Sequence, residues 1–104
     1  MKAIINGKRY DTDKAIKIAE VSEGYQGDFH RYEEALYKTP RSGAYFLAGG
    51  GGPRSHYAIS ERPGEWRGGG KITPLTREEA MGWAERNRLT DLLEAEFGDM
   101  VEDA

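Results

Sequence analysis

The sequence predicts an α+β domain: a small antiparallel β-meander with helices packed on it. Three observations carry this. An Asn6-Gly7 pair separates two short strand-like runs near the N-terminus. Aromatic and β-branched runs bounded by Gly and Pro fill the middle of the chain. Thr76-Arg77-Glu78-Glu79 has the form of a capping box and opens an amphipathic stretch in the last third.

Taken in order, Lys2 to Ile5 and Lys8 to Tyr10 form a β-hairpin, because Asn-Gly suits the two positive-φ positions of a type I′ turn. Asp11, Thr12 and Asp13 can cap a helix, and Ala15, Ile16, Ile18 and Ala19 recur at helical spacing up to Val21. One helix is therefore expected after the hairpin, ended by Gly24 and Gly27. Phe29 to Lys38 and Ala44 to Ala48 read as an antiparallel strand pair joined by a turn at Pro40, Ser42 and Gly43. Gly49 to Gly52 and Gly68 to Gly70 read as breaks, with a short strand at Ser55–Ser60 and a turn at Glu61–Gly64 between them. Lys71 to Leu75 is a brief extended piece that Pro74 keeps away from a sheet centre.

After the capping box, Ala80, Trp83 and Ala84 fall on one helix face. Asn87 and Arg88 close that helix. Thr90 is placed to cap a second one bearing Leu92, Leu93 and Phe97, with Gly98 at its end. The expected organisation is one domain over residues 1–98 and an unordered acidic tail over 99–104.

The chain has 104 residues, 38% of them hydrophobic, enough for one modest core anchored by six Tyr, three Phe and two Trp. Having no Cys, it can form no disulfide, thiolate metal site or Cys nucleophile, and a cytoplasmic location is expected. No run approaches a membrane span, and no membrane partner is expected. The net charge is −3, unevenly spread. Residues 74–104 hold three Lys/Arg against nine Asp/Glu, whereas residues 27–73 hold seven against five. The acidic third is either a solvated helix face or a surface that meets a basic partner.

The candidate chemistry is sparse. A Walker A loop would need a Gly where Glu65 stands and Ser or Thr where Ile72 follows Gly70-Lys71, and Gly49 to Gly52 has no Lys after it. His30 and His56 are the possible general bases. Ser55 adjoins His56, but neighbours on a strand point to opposite faces, so the two make no dyad. Glu33, Glu34 and Glu61 could join a histidine at a metal, although no spacing fixes two ligands on one helix face. No catalytic residue, metal or cofactor is therefore predicted, and the chain reads as a non-enzymatic protein.

Binding residues are better represented. Arg54, Tyr57, Arg62, Trp66 and Arg67 interleave cations with aromatics, as single-stranded nucleic-acid binders do. The plainer alternative places Tyr57 and Trp66 in the core or at its rim, with the charges merely solvating the strands. Trp66 and Arg67, in a Gly-flanked segment, could also anchor a protein partner, since Trp and Arg dominate interface hot spots. Glu78, Glu94 and Glu96 carry the acidic alternative.

Four stretches resemble a family of short, mostly uncharacterised bacterial proteins of phages, plasmids and integrative elements. They are Lys2–Thr12, Glu34–Thr39, Gly43–Leu47 and Lys71–Ala80, in the same order along most of the chain. This sequence departs from the pattern at Gly49 to Gly52, where an acidic residue is expected. The resemblance implies an accessory protein of a mobile element. By analogy of context it implies an inhibitor of a host defence complex, of anti-CRISPR or antirestriction type, whose partner is a host protein or nucleoprotein complex. It carries over no catalytic residue.

Overall fold

The computed structural model describes every residue except Gln26 and Gly64, and only the backbone of Glu61, Glu65, Trp66 and Arg67. The N-terminal hairpin pairs β1 (Lys2–Ile5) with β2 (Lys8–Asp11). Asn6 and Gly7 turn it with φ of 52° and 76°, as the type I′ signal requires. A four-stranded antiparallel sheet follows in the order β3 (Ile16–Glu23), β4 (Tyr32–Lys38), β5 (Tyr45–Gly51) and β8 (Gly69–Leu75). A second hairpin, β6 (Ile59–Arg62) with β7 (Glu65–Arg67), is inserted between β5 and β8. Helices α1 (Arg77–Arg86) and α2 (Thr90–Phe97) end the fold, with a 3-10 turn at Gly98–Met100. The architecture is the α+β type expected.

The sheet carries a different layer on each face. On one, Leu36, Tyr45 and Leu47 pack against Ala80, Trp83, Ala84 and Phe97 of the helices. On the other, Phe46 and Ile72 pack against Tyr10 of the hairpin. Tyr37 stacks on its cross-strand partner Phe46 at 5.2 Å, and Tyr10 meets the same ring edge-on at 5.4 Å. Phe46, Phe97 and Leu36 are fully buried. Each such burial contributes about 1.5–3 kcal/mol, so these three side chains anchor the two layers.

The helix expected over Ala15–Val21 is instead the edge strand β3. Its register slips between Lys17 and Ala19, leaving Ile18 as an extra residue in a β-bulge. The bulge lets Ile18, Ala19 and Val21 all pack on the helix-side core, and their uneven spacing imitates a helical period. The β-branched Ile16, Ile18 and Val21 favour the strand they occupy.

The middle of the chain also differs from expectation. Phe29 lies in a turn and β4 begins at Tyr32. Gly49, Gly50 and Gly51 continue β5 rather than break it, paired with Lys71, Gly70 and Gly69 of β8. Residues 53–57 form turns, and the strand expected from Ser55 starts at Ile59. The expected turn at Glu61–Gly64 falls partly within β6, and Gly64 lies outside the described residues. Pro74 sits on the edge strand β8, where a missing backbone donor is tolerated.

Helix α1 carries the predicted capping box: Thr76 Oγ1 accepts from Glu79 N at 3.1 Å, and Glu79 Oε1 accepts from Thr76 N at 2.8 Å. At its other end Leu89 N donates to Ala84 O and Arg88 N to Glu85 O, with Arg88 at φ 57°. That is a Schellman motif. It makes Leu89, not Thr90, the N-cap of α2, without a side-chain cap bond. Gly98 is right-handed and leads into the 3-10 turn, whose Met100 packs on the core.

Gly49 is required for packing: a Cβ there would lie 1.9 Å from the Tyr57 hydroxyl oxygen. Gly82, on α1, has only the flexible end of Arg86 within reach, at 3.3 Å. Gly49→Ala is expected to cost about 1–3 kcal/mol in denaturant unfolding. Gly82→Ala should gain about 0.5–1 kcal/mol from helix propensity. Equal effects at the two positions would contradict the close approach at Gly49.

Candidate functional site

Strand alternation puts Glu34 on the same face of β4 as the buried Leu36, beneath the helix layer. Its side chain is 12% exposed. A carboxylate in that position needs donors, and three reach it. Trp83 Nε1 donates to Oε1 at 3.0 Å, and the Tyr57 hydroxyl donates a short bond to Oε2. His56 Nε2 lies 3.3 Å from Oε2.

These donors come from α1 and from the loop of residues 52–58, which rests on the glycine end of β5. Gly49, paired with Glu34 across the β4–β5 ladder, leaves room for the Tyr57 phenol. Ser55 pins the loop: its hydroxyl donates to Gly52 O at 2.8 Å and accepts from Tyr57 N at 3.2 Å. The His56 ring packs on Tyr57 at 4.2 Å and edge-on to Tyr32 at 5.0 Å.

Burial pushes the Glu34 carboxyl upward, but hydrogen bonds from Tyr57, Trp83 and His56 outweigh it and hold its pKa below the ordinary 4.5. The Tyr57 hydroxyl is pushed well above its ordinary value, by burial first and by the bond to the Glu34 carboxylate next. The arrangement orients an exposed imidazole against a carboxylate. Ser55 gives its proton to a backbone carbonyl and is not turned toward that ring. The chemistry on view is structural clamping: one carboxylate ties a loop and a helix to the sheet. Among the described residues no group of three or more His, Asp or Glu side chains could hold a metal.

The predicted binding residues fall into different places. Tyr57 is 6% exposed with its hydroxyl on Glu34, so it is no platform for a base, and the interleaved cations lose that aromatic. Arg54 is exposed on the loop and Arg62 on β6. The backbone of Trp66 and Arg67 forms strand β7 opposite Ser60 and Ile59 rather than an open loop, and their side chains lie outside the described residues. His30 is exposed beside Asp28, 3.7 Å from its carboxylate.

The acids divide as well. Glu96 points inward and accepts from Lys38 Nζ at 2.7 Å and Tyr45 Oη at 2.5 Å, which removes it from the acidic surface. Lys38, then Tyr45, lower its pKa against burial. Glu78 and Glu94 are exposed on α1 and α2. Glu94 joins Glu85 and Glu102 around a cleft of about 330 Å³ that includes Met81, Leu93, Met100 and Val101. Glu78, Met81 and Glu85 share one stripe of α1 at i, i+3 and i+7.

Sequence reasoning missed Glu34 as a structural hub. The available signal was a carboxylate two residues from Leu36 on a core-facing strand. No family model, curated protein or solved structure matches the chain.

Glu34→Ala should cost about 1–3 kcal/mol, because it strands the Trp83 and Tyr57 donors, and urea unfolding measures it. Since the fold lowers the Glu34 pKa, its contribution is complete above the unfolded value near 4.5 and is lost as pH falls through the folded one. Wild type should therefore lose more stability below pH ~4.5 than Glu34→Gln, and parallel melting curves would contradict this. The raised Tyr57 pKa works in the other direction. Its contribution is present below the ordinary value of 10.0 and fades as pH climbs through the folded one.

Proposed function

We propose that the protein acts by binding another protein through the acidic face of α1 and α2, not by catalysis. The observation behind this reading is the α1–α2 cleft: Met81, Leu93, Met100 and Val101 supply apolar surface, and Glu85, Glu94 and Glu102 stand around it. Apolar contact gives such a face affinity, and the carboxylates give register and steering toward a basic surface. None of Glu78, Glu85, Glu94 and Glu102 takes part in an ion pair among the described residues.

The partner class we infer is a protein with a basic groove of the kind that holds nucleic acid. The mobile-element resemblance makes a host defence complex the candidate owner of that groove, with the acidic face competing for it.

The test is capture from nuclease-treated bacterial lysate with the wild type and with a Glu78→Gln/Glu85→Gln/Glu94→Gln variant. The expected result is a stoichiometric basic protein held by the wild type, released by moderate salt and at least ten-fold depleted with the variant. Equal capture by both would overturn the reading.

A further inference from the structure

A second concave surface lies away from the helices. A groove of about 730 Å³ runs between β2 with its following turn and the turn that joins β4 to β5. Lys8 and Arg9 of β2, Lys14 of the 11–15 turn and Arg41 of the 39–43 turn contribute four cations to it, against the single acid Asp11. The groove thus holds +3 in a chain of −3, so the rest of the molecule carries −6. All four cations are exposed, and none forms an ion pair among the described residues. Asp11 offsets one of the four charges but is ion-paired to none of them; its Oδ1 accepts from Asp13 N at 3.0 Å.

Both rims are fixed. Lys14 N and Ala15 N donate to Asp11 O at 3.2 and 3.1 Å, closing the first turn. On the second, Thr39 accepts from Gly43 N at its carbonyl and from Ala44 N at its hydroxyl. Tyr10, Ala15 and Ala44 lie among the lining residues, and the Tyr10 ring is packed on Phe46. No free aromatic face is left there for a base to stack on.

We propose that this groove binds the phosphate backbone of a nucleic-acid strand without reading its bases. Four separated cations on two rims suit successive phosphates along a strand better than one compact anion, which would call for convergent backbone donors. A second copy of this chain could offer its acidic helices instead. That arrangement would join unlike surfaces head to tail and would polymerise unless its rotation closed a ring.

Fluorescein-labelled oligothymidylate of fifteen nucleotides is the probe, read by anisotropy at low and moderate salt. Wild type should bind at low salt and weaken as salt rises. Lys8→Gln/Arg9→Gln/Lys14→Gln/Arg41→Gln should bind at least ten-fold more weakly, its salt slope falling by about 0.7 for each phosphate that is no longer neutralised. Arg41→Glu alone should weaken binding several-fold, which keeps the test valid if the four-fold variant folds poorly. Arg54→Gln/Lys71→Gln should bind like wild type. The proposal is overturned by no wild-type binding at low salt, or by undiminished binding in the groove variants. Loss of binding in Arg54→Gln/Lys71→Gln alone overturns it too. So does competition by polyglutamate equal to that by unlabelled strand, or salt-sensitive polymerisation in sedimentation without oligonucleotide binding.

Discussion

The Glu34 carboxylate accepts from Trp83 and Tyr57 where helix α1 and the loop of residues 52–58 meet on the sheet, and much of the helix-side layer is arranged around those two bonds. Desolvating a carboxylate is costly, and the cost is met here only because donors arrive from two separate elements. Each donor depends on another feature. Trp83 is placed by a helix whose start is fixed by the Thr76–Glu79 capping box. Tyr57 reaches Glu34 only because Gly49 has no Cβ. The glycine run in β5 thus serves the same end as the buried acid. It narrows the strand surface so that Tyr57 and Ser55 of the loop can lie directly against Gly49 and Gly51.

A four-stranded sheet with a different layer on each face also keeps opposite charges apart. The helix layer presents Glu78, Glu85 and Glu94, while Lys8 and Arg9 belong to the hairpin that packs on the other face. A molecule of this size with separated charge has a field that orients it before contact, and that raises the rate of encounter more than the final affinity. Under the two proposals made above, a basic protein would be drawn to the helices, and a phosphate chain would be drawn to the groove and repelled from the helices.

Much of the fold was legible in the sequence where local chemistry and tertiary packing agree. Asn6-Gly7 and Thr76 to Glu79 specify a turn and a cap through their own side chains and dihedral preferences, and both formed as read. Where packing overrides local pattern, legibility stopped. The bulge at Ile18 turned a strand into a helical-looking sequence, and Gly49 to Gly51 looked like a break because glycine rarely strengthens a strand. The burial of Tyr57 could not be read locally, because it depends on a glycine in one strand and an acid in its neighbour. The basic groove was likewise invisible, since Arg41 lies 27 or more positions from Lys8, Arg9 and Lys14 and only the topology joins them.

The acidic third of the sequence shows how far composition mislocates charge. Nine acids stand there against three cations, yet two of the nine are ion-paired by the fold. Glu96 is held by Lys38 from β4, and Asp99 forms a bidentate pair with Arg77, whose guanidinium also donates to Glu96 O and lies over the Phe97 ring. These interactions fasten the end of α2 to the sheet and to the start of α1. A short helix without a side-chain N-cap needs such fastening, because eight residues are too few to hold helical structure alone. Glu96, which reaches Lys38 on the sheet, and the exposed Asp99 are therefore neutralised by ion pairs, and Glu79 is engaged in the cap of α1. Folding does more than display the sequence's negative charge: it ties Glu96 and Asp99 to cations and leaves Glu78, Glu85, Glu94 and Glu102 outside any ion pair among the described residues.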